Sequence, residues 1–240
     1  MSAEEFSEES RRKLLGVSCA TLTTVLFKRG FRNTFIGGLV PLNPAAARMV
    51  GPAYTMRFIP SREDIDNFSS FADPANIQRR AIEECPSGHV LVIDSRKDAR
   101  AASGGDLLLM HLQARGGAGA VSDGGFRDSA AIARLGFPVY HQRPAPASAP
   151  IVHHAIDVDV PIACGDVAVY PGDVIVGDAE AVVVSPAHVA GEVADEAAEM
   201  DAYDDFAATK LREGRALQGL YPSTPESRAE FAAWRARGTR

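Results

Sequence analysis

The sequence predicts an α/β fold, and three observations carry that prediction. The middle of the chain alternates apolar runs of strand length with amphipathic segments of helix length. Glycine clusters punctuate its junctions, at Gly104-Gly105, Gly116-Gly117 and Gly124-Gly125. After Ile151 the chain turns to short branched runs between tight turns, the pattern of a strand meander joined to an α/β core.

Each element follows in order. Ser7 to Arg29 reads as one helix: acids come first, then Leu14, Leu15, Val17, Leu22, Val25 and Leu26 at helical spacing, and Gly30 stops it. "GPAYTMRFIP" (51–60) reads as a strand, rich in aromatic and branched residues. "DPANIQRRAIEECPSG" is a helix with Pro74 near its first turn and Pro86-Ser87-Gly88 as its exit. "HVLVIDS" is continuously apolar, as a strand buried on both faces would be. Gly104-Gly105-Asp106 is a turn, Leu107 to Arg115 a helix, and "AGAVSD" a strand. Gly124-Gly125 is a sharp turn, "RDSAAIARLG" opens another helix and "FPVYHQ" is a further strand. "PAPASAP" (144–150) reads as a surface connection. The meander follows, with Asp166, Asp173 and Asp178 as turn residues. Val189 to Leu211 forms a long Ala- and Glu-rich amphipathic helix, and a short helix surrounds Phe231 and Trp234.

Composition narrows the function. The net charge of −6 leaves no surplus of cations for phosphates, so neither nucleic-acid binding nor an anionic membrane surface is expected. The three cysteines, Cys19, Cys85 and Cys164, are odd in number and form no CxxC pair, which fits a reducing cytoplasm. The acidic, polar start "MSAEEFSEESRRKLL" lacks the apolar region of a secretory signal. No apolar run approaches the roughly 20 residues needed to span a bilayer.

The chemistry-bearing stretch is "GGDLLLMHLQARGGAGAVSDGGFRD", Gly104 to Asp128. A glycine beside a helix start lets backbone N–H groups face outward, and the helix dipole favours an anion there. Leu107 and Leu108 are placed to donate such groups. Arg127 offers a planar fork for a carboxylate, and Asp128 a hard oxygen suited to Mg²⁺ or Mn²⁺. The residues alone leave a second reading open: an Asp N-cap at 106 and a surface Arg-Asp pair at 127 and 128. Other catalytic signatures are missing. The sequence has no Walker loop, GxGxxG, HExxH or GxSxG, and His153-His154, adjacent on a strand, would point to opposite faces.

This stretch resembles the signature of the family that joins the 4-hydroxy-4-methyl-2-oxoglutarate/4-carboxy-4-hydroxy-2-oxoadipate aldolases to the regulator of ribonuclease activity A. "VAVYPGDVIVGDAEAVVVSP" resembles the family's second common segment, and the likeness runs from Leu14 to Gly214. The resemblance implies an α/β/β sandwich of the swivelling-domain type. It implies a single domain over 1–240, with a helical N-terminal segment and a helical C-terminal tail. It also implies a homotrimer or homohexamer with sites between subunits. By the same resemblance Asp128 holds a divalent metal, Mg²⁺ or Mn²⁺, and Arg127 contacts the pyruvate moiety. Gly105, Asp106, Leu107 and Leu108 supply amides to the substrate and an acid near the metal waters. Asp204 or Asp205 stands where the family uses a neighbouring subunit's glutamate. The implied activity is metal-dependent cleavage of 4-hydroxy-2-oxo acids to pyruvate, with oxaloacetate decarboxylation alongside. Two alternatives remain: a protein-binding regulator of an endoribonuclease, and another enolate-forming enzyme acting on a sugar-derived 2-oxo acid.

Overall fold

A computed structural model describes residues 6–238. The helices are α1 (Glu8–Gly16), α2 (Cys19–Lys28), α3 (Ile77–Glu84), α4 (Asp106–Ala114), α5 (Ser129–Arg134), α6 (Ala190–Arg212) and α7 (Pro225–Ala236). The strands of the first half are β1 (Val40–Pro41), β2 (Met49–Pro60), β3 (Val90–Asp94), β4 (Gly119–Ser122), β5 (Gly125–Phe126), β6 (Val139–His141) and β7 (Arg143–Pro144). Those of the second half are β8 (His153–Val158), β9 (Ile162–Cys164), β10 (Val167–Val169), β11 (Val174–Gly177) and β12 (Val182–Ser185).

The main sheet runs β1-β6-β4-β3-β2-β11-β12. Its centre, β2, β3, β4 and β6, is parallel, with α3, α4 and α5 as crossovers. β1 adds antiparallel at one end and the β11–β12 hairpin at the other. β2 is long enough to serve two partners on one edge: Met49–Pro52 pairs with β11, and Met56–Pro60 pairs with β8 beyond it. The α/β class read from the sequence is therefore the observed one.

Burial explains the layers. In β3, Val90 and Val92 face a core shared with Met49, Val121, Tyr140 and the β9–β10 hairpin. Leu91 and Ile93 face the opposite core with Ile82, Leu109, Leu112 and Ile132 from α3, α4 and α5. The strand is thus apolar throughout because both faces are covered. A third cluster packs α1, α2 and α6 on β11 and β12 through Leu14, Leu22, Leu26, Val176, Val183 and Val193. Tyr203, Phe206 and Phe231 join α6 to α7. No described helix is long and apolar enough to cross a membrane.

Three expectations need correction. The helix expected from Ser7 to Arg29 is two helices, because Ser18 caps α2 by accepting from Thr21 N, and Asp178 Oδ2 accepts from Cys19 N. α3 starts at Ile77 with Asn76 as its cap, so the helix begins later than the quoted stretch, with Pro74 near its first turn but outside it. "PAPASAP" is no loose surface connection. Ala145 and Ala149 are buried, Ala145 N donates to Phe126 O, and Ala147 O accepts from Ala102 N. All three cysteines are buried and unpaired.

Candidate functional site

The two glycine-flanked ends of Gly104–Asp128 meet in space. The parallel strands β3 and β4 deliver Ser95 and Ser122 to their carboxyl ends, where crevices form in open α/β sheets. Ser95, Ser103 and Ser122 close a buried hydroxyl ring there, with Oγ separations of 2.6–3.0 Å. Ser122 Oγ also accepts from Gly124 N at 3.0 Å. The backbone joins the same segments: Ser103 N donates to Gly125 O at 2.7 Å and Arg127 N to Gly104 O at 3.1 Å. Gln78 Nε2 donates to Ser103 O, which ties α3 to this knot.

Gly105, Asp106, Leu107, Leu108, Arg127 and Asp128 then line one cavity of about 460 Å³. Gly105 is closely packed against the side chains of Arg127 and Asp128. A Cβ there would lie 3.0 Å from Asp128 Oδ2 and 3.1 Å from Arg127 Cγ. Asp128 is in the left-handed region (φ 56°, ψ 31°), a conformation that costs energy in a non-glycine residue. Arg127 Nη1 donates to Ser148 Oγ at 3.0 Å. Its Nε lies 3.2 Å from Asp128 Oδ2 without hydrogen-bond geometry, and so is buried with no hydrogen bond among the described residues.

This geometry bears on the capping alternative. Gly105, not Asp106, is the N-cap of α4, and Asp128, at the N-cap of α5, makes no side-chain cap bond. The Asp128 carboxylate lies beside Arg127, so the partly exposed Arg-Asp pair of the second reading is present. Asp106 Oδ1 accepts from Leu107 N at 2.8 Å, so the Leu107 amide expected to face a ligand is already engaged. The Leu108 amide stays in the first turn, where no intrahelical acceptor exists.

No group of three or more His, Cys, Asp or Glu side chains suited to a metal occurs among the described residues. The donor set here, Asp128 with Asp106 in the same cavity, fits a hard cation that keeps most of its waters rather than a closed protein cage. Asp204 and Asp205 lie on α6 and do not line the cavity of their own chain. Burial, then the neighbouring Asp201 and Asp205, push the Asp204 carboxyl above its usual range. Elsewhere on α6, Glu192 and Glu196 pair with Arg29, and Asp195 with Lys13.

The sequence reading missed the rest of the cavity wall: Phe68, Phe71, Gln78, Arg79, Ala102, Gly104, Ser148 and Ala149. Gly104 alone belongs to the glycine-rich stretch; the others come from α3, the loops before α3 and α4, and the 144–150 segment, where no local motif marks them. The two histidines diverge as expected. Buried His153 contacts Ala101 O and stacks on Phe58, while His154 Nδ1 lies 2.6 Å from Asp66 Oδ1. Burial pushes the His141 ring down to about 4, which keeps it neutral near pH 7. Asp173 and Asp178 hold their turns by accepting from Tyr170 N and from Glu180 N and Ala181 N respectively.

Residues 19–184 match the family model RraA-like: Aldolase/RraA, and the chain belongs to that family. It is 35% identical over 139 residues to a Halalkalibacterium halodurans protein named "Putative 4-hydroxy-4-methyl-2-oxoglutarate aldolase", which covers 58% of this chain and 60% of that one. It is 26% identical over 184 residues to Legionella pneumophila Protein DlpA, over 76% of this chain and 29% of that one. The matches thus span less than two thirds of either relative's length. Among solved structures, the Streptomyces coelicolor protein RraAS2, described as an unusual member of the RNase ES inhibitor RraA family, superposes with TM-score 0.74. It is 32% identical, over 85% of this chain and 98% of that one. An uncharacterized Pseudomonas syringae protein gives TM-score 0.78 at 22% identity, over 90% and 98%, and shares the fold.

Proposed function

We propose that this chain is a divalent-metal-dependent lyase that cleaves 4-hydroxy-2-oxo acids to pyruvate and decarboxylates oxaloacetate as a side reaction. The observation that carries the reading is the Arg127–Asp128 pair, 3.2 Å apart on the wall of one cavity, with Arg127 Nε making no hydrogen bond and the Asp128 carboxylate capping no helix. A protein-binding surface needs neither. The 35% identical aldolase-named relative supports the same choice.

Asp128 would hold Mg²⁺ or Mn²⁺, with Asp106 steadying its waters. When bound, the cation supplies Lewis-acid stabilisation of the negative charge that develops on the substrate's keto oxygen. Arg127 binds the substrate carboxylate with its fork, and Ser148 fixes one arm of that fork. The Leu108 amide, which has no intrahelical acceptor, would donate to the substrate as well. A water oriented by Asp106 takes the C4 hydroxyl proton. The C3–C4 bond then breaks, C4 becomes a carbonyl, and the bonding pair passes to the three-carbon enolate, which is protonated at C3 to give pyruvate. Oxaloacetate reaches the same enolate by losing CO₂. The site is open on one side, so a trimer or hexamer in which a neighbour's Asp204 or Asp205 completes it belongs to this reading, as does a single domain over 1–240.

A pyruvate-release screen over 4-hydroxy-2-oxo acids and oxaloacetate, with Mg²⁺ and with EDTA, tests it. Metal-dependent pyruvate release is expected. Release that survives EDTA, or none from any substrate, rejects it. The likeness to RraAS2 favours a second reading, inhibition of an endoribonuclease. Ribonuclease inhibition by a chain that releases no pyruvate would select it.

A further inference from the structure

The cavity is larger than a pyruvate moiety needs, and the part beyond Arg127 and Asp128 has its own character. Phe68 and Phe71 meet edge to face at 5.7 Å, and Leu107, Ala102 and Ala149 extend this apolar wall. The cation on that wall is Arg79. Its guanidinium lies over the Phe71 ring, 5.7 Å from the centroid. Among the described residues no carboxylate pairs with it. The contrast with the next residue is direct: Arg80 binds Glu84 through two hydrogen bonds of 2.7 and 3.1 Å.

Arg79 is also placed against the interest of its own helix. It is the third residue of α3, where its amide donates to the Asn76 cap at 3.1 Å, and no acid accompanies it in that turn. A cation at a helix N-terminus opposes the helix dipole, so this position costs stability instead of adding it. Helix dipole and guanidinium together make that wall attractive to an anion. Gln78, one residue earlier, anchors the turn to Ser103 O and so fixes Arg79 relative to the Gly104–Leu108 loop.

We propose that Arg79 is a specificity-determining residue that selects 2-oxo acids bearing a second carboxylate distal to the keto acid end. Phe71 holds the guanidinium by a cation–π contact, and the apolar wall carries the intervening methylenes. The inference rests on the reading of the cavity as a 2-oxo acid site.

Calorimetric titration of the full chain with Mg²⁺ separates the two. The probes are 2-oxoglutarate and 2-oxopentanoate, which differ in the distal carboxylate. The wild type is expected to prefer 2-oxoglutarate. Arg79→Ala is expected to cut that preference about two- to fivefold, the range of an exposed charge pair. Arg79→Lys restores part of it, and raising salt from 0.05 to 0.5 M shrinks the wild-type preference, as charge recognition requires and a packing role does not. An unchanged ratio in Arg79→Ala, or a wild-type preference for 2-oxopentanoate, overturns the assignment of Arg79 and leaves the site reading standing. A wild type that binds neither probe overturns the site reading itself, and this inference with it.

Discussion

The groove between α1, the β9–β10 hairpin and the start of α6 measures about 1200 Å³, against about 460 Å³ for the cavity at Arg127. The larger space holds polar side chains too, but much of their bonding is already committed. Asp173 accepts from Tyr170 N and Ala187 N, Glu192 pairs with Arg29, and Ser10 bonds to Ser7. In the smaller cavity the backbone of Asp128 is strained, Arg127 Nε has no hydrogen bond, and a glycine is pressed against both. Volume is therefore a poor guide to chemistry here. Unspent hydrogen-bonding capacity held in a costly conformation is the better one.

Removing one acid from the small cavity and one cation from the large groove tells the two spaces apart. Asp128→Ala is expected to lower metal-dependent pyruvate release by roughly a thousandfold or more, since it deletes the proposed metal carboxylate. Its melting temperature should fall only modestly, by the equivalent of about 1 kcal/mol, because the side chain is 39% exposed and caps no helix while alanine tolerates a φ of 56° less well than aspartate. Arg32→Ala, in the larger groove, should leave release unchanged. A strong loss in Arg32→Ala with none in Asp128→Ala would invert the assignment.

Arg127→Lys comes next. It keeps the charge and loses the planar fork, along with the Ser148 contact that aims it. Oxalate, a mimic of the pyruvate enolate, should bind more weakly by about 2–3 kcal/mol, the scale of a charge-assisted bidentate pair. Inhibition constants measured for both proteins decide this, and equal values would mean that Arg127 binds no carboxylate.

Gly105→Ala adds one methyl where Asp128 Oδ2 and Arg127 Cγ already stand at 3.0 and 3.1 Å. The backbone at Gly105 is extended, so the substitution brings no conformational strain. Only the two side chains must yield. A loss of about tenfold in kcat/KM is expected, since small displacements of positioned groups are costly, with little change in stability. Gly136→Ala makes a poor control despite its open surroundings, because its φ of 64° disfavours alanine. Gly16, with nothing within 4 Å and no such backbone requirement, is the better one.

These predictions draw on residues of unequal visibility. Gly105, Asp106, Arg127 and Asp128 were marked in the sequence by glycine pairs near helix starts, though only the family resemblance gave them roles, and they do line one cavity. β3 was legible from its run of apolar residues, which reflects two covered faces. The break at Val17–Ser18 was hidden because apolar spacing continues across it, while Asp178, which receives the α2 amide, lies 159 residues away. Phe68, Phe71, Arg79 and Ser148 were hidden too. They reach the cavity through the loop before α3 and through a proline-rich segment whose composition suggested a simple connection. What the sequence withheld are contacts between distant segments, and these define the far half of the site.

The smallest effect is expected at the hydroxyl ring behind the site. Ser122 Oγ meets Ser103 Oγ at 2.6 Å and Ser95 Oγ at 3.0 Å, and accepts from Gly124 N. All of this is buried, so Ser122→Ala leaves hydrogen-bonding groups unsatisfied and costs about 1–3 kcal/mol of stability. None of the ring hydroxyls lines the cavity, and two backbone bonds, Ser103 N to Gly125 O and Arg127 N to Gly104 O, still hold the two halves together. Catalysis should therefore fall by no more than about threefold while urea unfolding shifts clearly to lower concentration. The opposite pattern, intact stability with a large loss of kcat, would place Ser122 in the chemistry and move the boundary of the site one layer deeper into the sheet.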